Sequence, residues 1–342
     1  MPLQLNVLER LCAASGVSGR EDAVRGVITE LLPAGAQHSV DPLGNLIVRK
    51  EGARAGAKAV MLCAHMDEVG LIVTDIHDTG DVSFAAVGGV DTRAYLGKQL
   101  FVGQARIPGV IDLKAVHLLE GDEKNIIPHT ASLRLDIGCD SRAEAEALVR
   151  RGDFICFSPT FQAFGEGYIQ GKAIDDRIGC LLLLTLLREE LPYDMLAVFS
   201  TNEETGVGAA RTAAFTCAPD YALVAETTTA NDLPGTEGAA RVCLLGGGAV
   251  VPFMDQGTVY PRALYERAMQ IAARENIPAQ TKTKIAGGND AKSITAARGG
   301  IPTLTVSVPC RGLHSPSVVM KQSDAEASLR LLRSLWKELS AE

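Results

Sequence analysis

After residue 170 the chain alternates between helical and strand-like segments, and this rhythm restricts the fold more than any other feature. The spacing predicts a helix over 176–190, a strand over 195–200, a helix over 206–215 and a strand over 221–225. Strands near 241–245, 282–285 and 303–307 follow, with helices over 260–275 and 290–297. A last helix, opened by a Ser323…Glu326 capping box, runs to about Leu339. Such alternation is what a layered α/β sheet with helices against it produces. The N-terminal segment fits the same sheet. It has helical spacing over 5–14, then a Ser18…Glu21 capping box that opens a helix to about Leu32. Turn chemistry at Asp41–Asn45 leads into a strand over 46–50, and a wholly apolar strand spans 60–64.

From about 70 to 160 the texture changes. Short β-like runs at 71–74, 82–86, 100–104, 110–111 and 132–137 alternate with Gly, Pro and Asp, interrupted by one short helix over 141–150. The expected organisation is an α/β domain formed by 1–69 and 159–342, with a smaller β-rich domain, 70–158, inserted in it.

The 342 residues suit one large domain or two, and a 46% hydrophobic content supports a sizeable core. A net charge of −8 without a basic stripe makes nucleic acid and anionic membranes poor partners. The longest apolar stretch, Cys180 to Leu187 and broken by Thr185, is too short to span a bilayer. The opening MPLQLNVLER lacks a cationic region followed by an apolar one, so no signal peptide is expected. The eight cysteines form no CxxC pair, and most lie inside apolar segments. Buried free thiols in a reducing cytosol, and hence a cytoplasmic protein, are the expectation.

Polar clusters stand at the ends of the apolar segments: His65-Met66-Asp67-Glu68, Asp175-Asp176-Arg177, Glu203-Glu204, Glu226 and His314-Ser315-Pro316. Those at 65, 203–204 and 226 follow expected strands, and ligands of open α/β sheets gather at the carboxyl ends of strands. Two imidazoles and three carboxylates (His65, Asp175, Glu204, Glu226, His314) offer only N and O donors. That set suits zinc, cobalt or manganese rather than a thiolate site. A shared carboxylate can bridge two divalent metal ions. Two such ions lower the pKa of a bridging water to give a hydroxide nucleophile, and they polarise a carbonyl beside it. Glu203, next to a ligand but not one itself, is placed to take the water's proton, because neighbours on an extended segment point opposite ways. Asp67, two residues after His65, is placed to accept the second N–H of that imidazole.

Each cluster also has a plainer reading: Asp175-Asp176 as a helix cap, Glu203-Glu204 as a solvated turn, either histidine as a structural one. Their conjunction favours the metal site. A glycoside hydrolase using Glu203 and Glu204 is the rival, but its carboxylates must stand roughly 5–10 Å apart across one bond. It also leaves both histidines without a role. The remaining histidines, His38, His77, His117 and His129, have no acidic company and read as surface or structural residues.

Several strings resemble elements of the M42 family of metallo-aminopeptidases, of the glutamyl and tetrahedral aminopeptidase type. Ala64-His65-Met66-Asp67-Glu68-Val69-Gly70 is similar to its AHxDExG element, and Gly171 to Arg177 to its GKAxDDR element. Glu203-Glu204-Thr205-Gly206, Asp232-Leu233-Pro234-Gly235 and His314-Ser315-Pro316 match further elements, as do Ser18-Gly19-Arg20-Glu21 and Asp41…Gly44-Asn45. The resemblance implies that Asp175 bridges the ions, one also taking His65 and Glu226 and the other Glu204 and His314, with Glu203 as general acid/base. It implies a barrel-like inserted domain that mediates dimerisation, dimers that assemble into a dodecamer, and short peptides as substrates. The fourth ligand is usually Asp in that family, and here it is Glu226. This departure keeps a metal-dependent carboxypeptidase or amide deacylase on the same fold as alternatives.

Overall fold

The computed structural model describes residues 3–55 and 57–342, with Lys124 as backbone only. The central strands Val60–His65 (VMLCAH) and Met195–Ser200 (MLAVFS) are buried along their whole length, as strands must be when both faces are covered. They run parallel, with Ser200 beside His65. Tyr221–Thr229 lies parallel on the other side of Val60–His65, and Thr303–Arg311 lies parallel beyond that. The carboxyl ends of all four strands therefore meet one edge of the sheet. Antiparallel strands extend it on both sides. Leu46–Lys50 and Gln37–Val40 flank Met195–Ser200, while Val318–Lys321, Tyr168–Gly171 and Phe161–Phe164 continue from Thr303–Arg311. The helix Ile174–Leu187 is buried on every side. It packs on the strands Val60–His65 and Tyr221–Thr229, with Leu5–Ala13 over it and Gln322–Ala341 beside it on the same sheet, which accounts for an apolar sequence with no polar stripe.

The inserted segment forms a closed antiparallel barrel of Gly70–Ile76, Val82–Val87, Leu135–Asp136, Ile107–Ile111, Gln99–Val102 and Phe154–Phe157. Closure removes the free edges that such short strands would otherwise expose. Alternation supplies its core: Val82 and Phe84 point inward from one strand and join Leu71, Leu100, Leu135 and Ile155 in a cluster separate from the main one. The architecture is thus the expected layered mixed-sheet α/β domain interrupted by a smaller β-rich, barrel-like one.

The junction between the two bodies is held by charge. Glu68 accepts from Lys172 Nζ at 2.7 and 2.8 Å, from Arg177 at 3.1 Å and from the Gly16 amide at 2.9 Å. All three side chains are buried. Arg177 also donates to the carbonyls of Met66 and Leu11. Removing the anion strands two cations in the interior, and breaking a buried pair in this way is worth about 3–5 kcal/mol. Glu68→Ala is therefore expected to lower the urea midpoint sharply while leaving the m-value unchanged. A shift under about 0.5 kcal/mol, ordinary for a surface change, would contradict this account.

Three sequence expectations differ from the structure. The Ser18…Glu21 box does not cap its helix, which runs Asp22–Leu31. Ser18 Oγ donates instead to Asp67 at 2.6 Å, and Glu21 accepts from the Gly19 amide. The helix Gln322–Ala341 has no side-chain cap either. The strands expected near 241–245 and 282–285 are displaced to Ala249–Val251 and Ala279–Thr281. The amides of Leu244 and Leu245 are taken by the side chains of Gln280 and Asp232, so no ladder starts there. All eight cysteines are free, and no described helix is long and apolar enough to cross a membrane.

Candidate metal centre and active site

The parallel strands deliver most of the site. His65 ends Val60–His65, while Glu226 lies inside Tyr221–Thr229, a strand that continues past the expected end at 225. Asp175 sits at the start of the buried helix, where it and Asp176 depart from helical geometry and are joined by a cis peptide. Asp176 caps, accepting the Gly179 amide at 3.0 Å. Asp175 lines the cavity. Both readings of the Asp175-Asp176 pair therefore describe part of it.

The side chains converge. His65 Nε2 lies 3.4 Å from Asp175 Oδ1 and 3.6 Å from Glu226 Oε1. His314 Nε2 lies 3.2 Å from Glu204 Oε2 and 3.7 Å from Asp175 Oδ2. Two donor groups result, His65–Asp175–Glu226 and Asp175–Glu204–His314, and Asp175 belongs to both. Ligands about 2.0–2.1 Å from one tetrahedral ion stand about 3.4 Å apart. The four separations bracket that figure and lie at or beyond the outer limit of a hydrogen bond.

Each imidazole is turned by an acceptor behind it. His65 Nδ1 faces the Asp67 carbonyl at 3.2 Å and Asp67 Oδ1 at 3.4 Å. His314 Nδ1 faces the Gly89 carbonyl at 2.8 Å. A carbonyl can only accept, so Nδ1 carries a proton, and Nε2 is the nitrogen that faces the cavity and can offer a lone pair to a metal. Gly89 belongs to the loop that follows the barrel strand Val82–Val87, so the inserted segment orients one imidazole of the site. Its neighbour Gly88 has φ +80°, and a Cβ there would stand 2.9 Å from Val69 and 3.3 Å from the Glu204 carbonyl. Only glycine admits that approach.

Asp67 does more than the sequence implied. Besides facing His65, its carboxylate accepts the amides of Glu203 and Glu204, each at 3.1 Å. The Glu203-Glu204 segment is a turn, entered through Asn202 at φ +56°, and not the extended stretch assumed from the sequence. Both glutamates consequently line the same cavity. Outer partners of this kind typically carry 10–100-fold in metal affinity. Asp67→Ala should weaken zinc by about that much in an equilibrium titration, and unchanged affinity would remove Asp67 from the site's support.

Electrostatics favour a cation here. Burial pushes Glu203 and Glu204 well above the ordinary carboxyl range and Glu226 to about 7. Burial opposes the ionisation of Asp175 as well, but His65 and His314 hold it near 2. Burial likewise opposes charging of His65, yet Glu226, Asp175 and Asp67 raise its pKa well above the imidazole value. Among the described residues no lysine or arginine pairs with Asp175, Glu203, Glu204 or Glu226, and histidine nitrogens are the cationic partners within 4.0 Å. Protons shared among buried carboxyls and imidazoles are what a dication displaces on binding. The donor set therefore fits divalent ions with N/O preference, and no cysteine belongs to either group.

The cavity has a volume of about 1130 Å³. Gly287-Gly288-Asn289-Asp290 lines it, whereas Gly246-Gly247-Gly248 lies elsewhere, with the amides of Gly246 and Gly248 on Asp324. His38, His77, His117 and His129 are not among the lining residues. Sequence reasoning overlooked four contributors: the Gly89 carbonyl, Asp290, Lys282, and Thr227, whose hydroxyl donates to Asp175 at 2.8 Å. None of the four carries a motif signal of its own. Ser18, whose hydroxyl donates to Asp67, is a further contributor and belongs to the Ser18–Glu21 string first read as a cap.

The profile of the M42 glutamyl aminopeptidase family matches residues 44–331. The chain belongs to the M42 family. Its aminopeptidases are metal-dependent peptide hydrolases. A putative aminopeptidase of Acetivibrio thermocellus is 33% identical over 335 residues, spanning 96% of each chain. The structure is similar to that of a TET aminopeptidase from a marine-sediment thaumarchaeon, with 31% identity, a TM-score of 0.93 and coverage of 98% and 96%. It is similar also to the Pyrococcus horikoshii TET1 peptidase, which can assemble into a tetrahedron or a large octahedral shell. There the identity is 31%, the TM-score 0.86 and the coverage 97% and 98%.

Proposed function

We propose that this M42 protein is a dinuclear-metal aminopeptidase that removes N-terminal residues from short peptides. The observation that carries the reading is the pair of donor groups sharing Asp175. In this scheme Asp175 is common to both ions, His65 and Glu226 complete one position, and Glu204 and His314 complete the other. Zinc, cobalt or manganese bound there would lower the pKa of a water and polarise the scissile carbonyl. The chain's own part is to hold that geometry and move the proton. Glu203, whose burial already raises its proton affinity, takes the proton as general base and returns it to the leaving amine. Asp67 keeps His65 in the right tautomer and pins the turn that carries Glu203.

The inserted segment 70–158 is proposed as the dimerisation domain of a cytoplasmic homo-oligomer, with dimers joining into a dodecamer. Val116, Leu118 and Ile126 stand exposed on that segment, at 58–69%, and large apolar side chains left in water favour burial against another chain.

The test uses amino-acid p-nitroanilides with protein stripped by a chelator and then given one metal at a time. Activity should vanish on stripping and return with zinc, cobalt or manganese, at two ions per chain by mass spectrometry. Full activity without metal, or turnover of chromogenic glycosides but of no anilide, overturns the proposal.

A further inference from the structure

Asp232, the first residue of the Asp232-Leu233-Pro234-Gly235 string, lies just past the end of Tyr221–Thr229 and is not among the residues lining the metal cavity. Its carboxylate grips Arg311, the last residue of the neighbouring strand Thr303–Arg311, through both oxygens. Oδ1 accepts from Nε at 2.6 Å and Oδ2 from Nη2 at 2.9 Å. Oδ2 also accepts the Leu245 amide at 3.0 Å. The Asp232 side chain is 10% exposed and that of Arg311 33%. Ion pairs near the surface generally add little stability. A forked pair fixes geometry instead, because it sets the orientation of both planar groups.

The geometry it fixes is that of two strands leaving the sheet. The ladder between them runs from Ala222↔Thr303 to Thr229↔Cys310, and the Ala230 amide adds a bond to the Cys310 carbonyl at 2.8 Å. The ion pair closes the open end of this ladder. Glu226 stands inside the ladder, opposite Ser307. His314 lies outside it, beyond Arg311, in the loop that turns back to Val318–Lys321. There Gly312 has φ +68° and His314 φ +58°. A non-glycine residue keeps such a backbone only where its surroundings hold it. The loop is held by the Gly89 carbonyl on the His314 ring, by the Ser315 hydroxyl on the Gly312 carbonyl at 2.6 Å, and at its root by the fork between Arg311 and Asp232.

We infer that Asp232 and Arg311 are a positioning pair for His314. They set the metal affinity of the Glu204–His314 position and leave the His65–Glu226 position, which the ladder supports, unaffected. This rests on the proposed two-ion site and assigns the support of one half of it.

Asp232→Asn keeps the shape of the side chain and removes its charge. Arg311→Lys keeps the charge and removes the fork. Zinc is titrated at equilibrium into chelator-stripped protein, and bound ions are counted per chain. Groups behind metal ligands typically carry about 10–100-fold in affinity, so either substitution should weaken one of the two ions by about 10-fold. Repeating the titration in two backgrounds identifies that ion. In His65→Ala, which leaves the Glu204–His314 position complete, Asp232→Asn should still weaken zinc. In His314→Ala, which leaves the His65–Glu226 position complete, it should have no effect. The Tm of metal-free protein should barely move, which separates positioning from a general loss of stability. Arg311→Lys decides the matter should Asp232→Asn fail to fold. Equal weakening of both positions, or of neither, overturns the inference. A wild-type protein that takes up fewer than two ions overturns the two-ion reading itself, an outcome visible before any variant is compared.

Discussion

Glu203→Gln should lower kcat by at least about 10²-fold, and by as much as 10⁴-fold, the usual range for general acid–base catalysis. The amide keeps the size and hydrogen bonding of the side chain but cannot take the water's proton. Glu203 belongs to neither donor group, so metal content should stay near normal. KM should change little, because the substrate is held by the metals and the cavity wall. Glu204→Gln is the contrasting variant. Glu204 stands 3.2 Å from His314 within a donor group, so it should lose metal first and activity as a consequence. The two measurements are ions per chain and turnover of a single peptide, for both variants. An empty site in Glu203→Gln with a full one in Glu204→Gln reverses the roles. Normal turnover in both removes the glutamates from the chemistry.

Asp175→Ala should do more damage than either. Its two oxygens face different imidazoles, at 3.4 and 3.7 Å, so one substitution takes a ligand from both groups. Loss of both ions and of essentially all activity is expected. A ligand that binds only the folded state adds about 2.7 kcal/mol at a concentration 100 times its Kd. The wild type should therefore gain Tm on zinc addition, and Asp175→Ala should not. A variant that retained both ions at normal affinity would assign the shared position to another residue.

Much of the site was legible because its chemistry is unusual for the places it occupies. A carboxylate such as Glu226, closing an apolar run, has no purpose in a core unless it is paired, and the structure does pair it, with His65. His65 and Glu226 could be placed on one rim from strand order alone, since parallel strands put their carboxyl ends together. What local pattern could not supply was competition between distant groups. Ser18 has equally good sequence reasons to cap a helix and to bond Asp67, and only packing decides between them. The turn at Glu203-Glu204 is fixed by two bonds to Asp67, which lies 136 and 137 residues earlier. The short outer strands, Phe161–Phe164 and Tyr168–Gly171 among them, have no periodicity to announce them and exist because a sheet edge offers partners.

By itself, then, the sequence determined the alternating α/β body, the β-rich interruption and the set of candidate donor residues, because these depend on periodicity and on residue chemistry. Only the tertiary structure decided that both oxygens of Asp175 face an imidazole, that a barrel-loop carbonyl turns His314, and that Asp67 holds the Glu203-Glu204 turn. Each of these depends on the distance between segments far apart in the chain, and that distance is set by how the two cores pack rather than by any local preference.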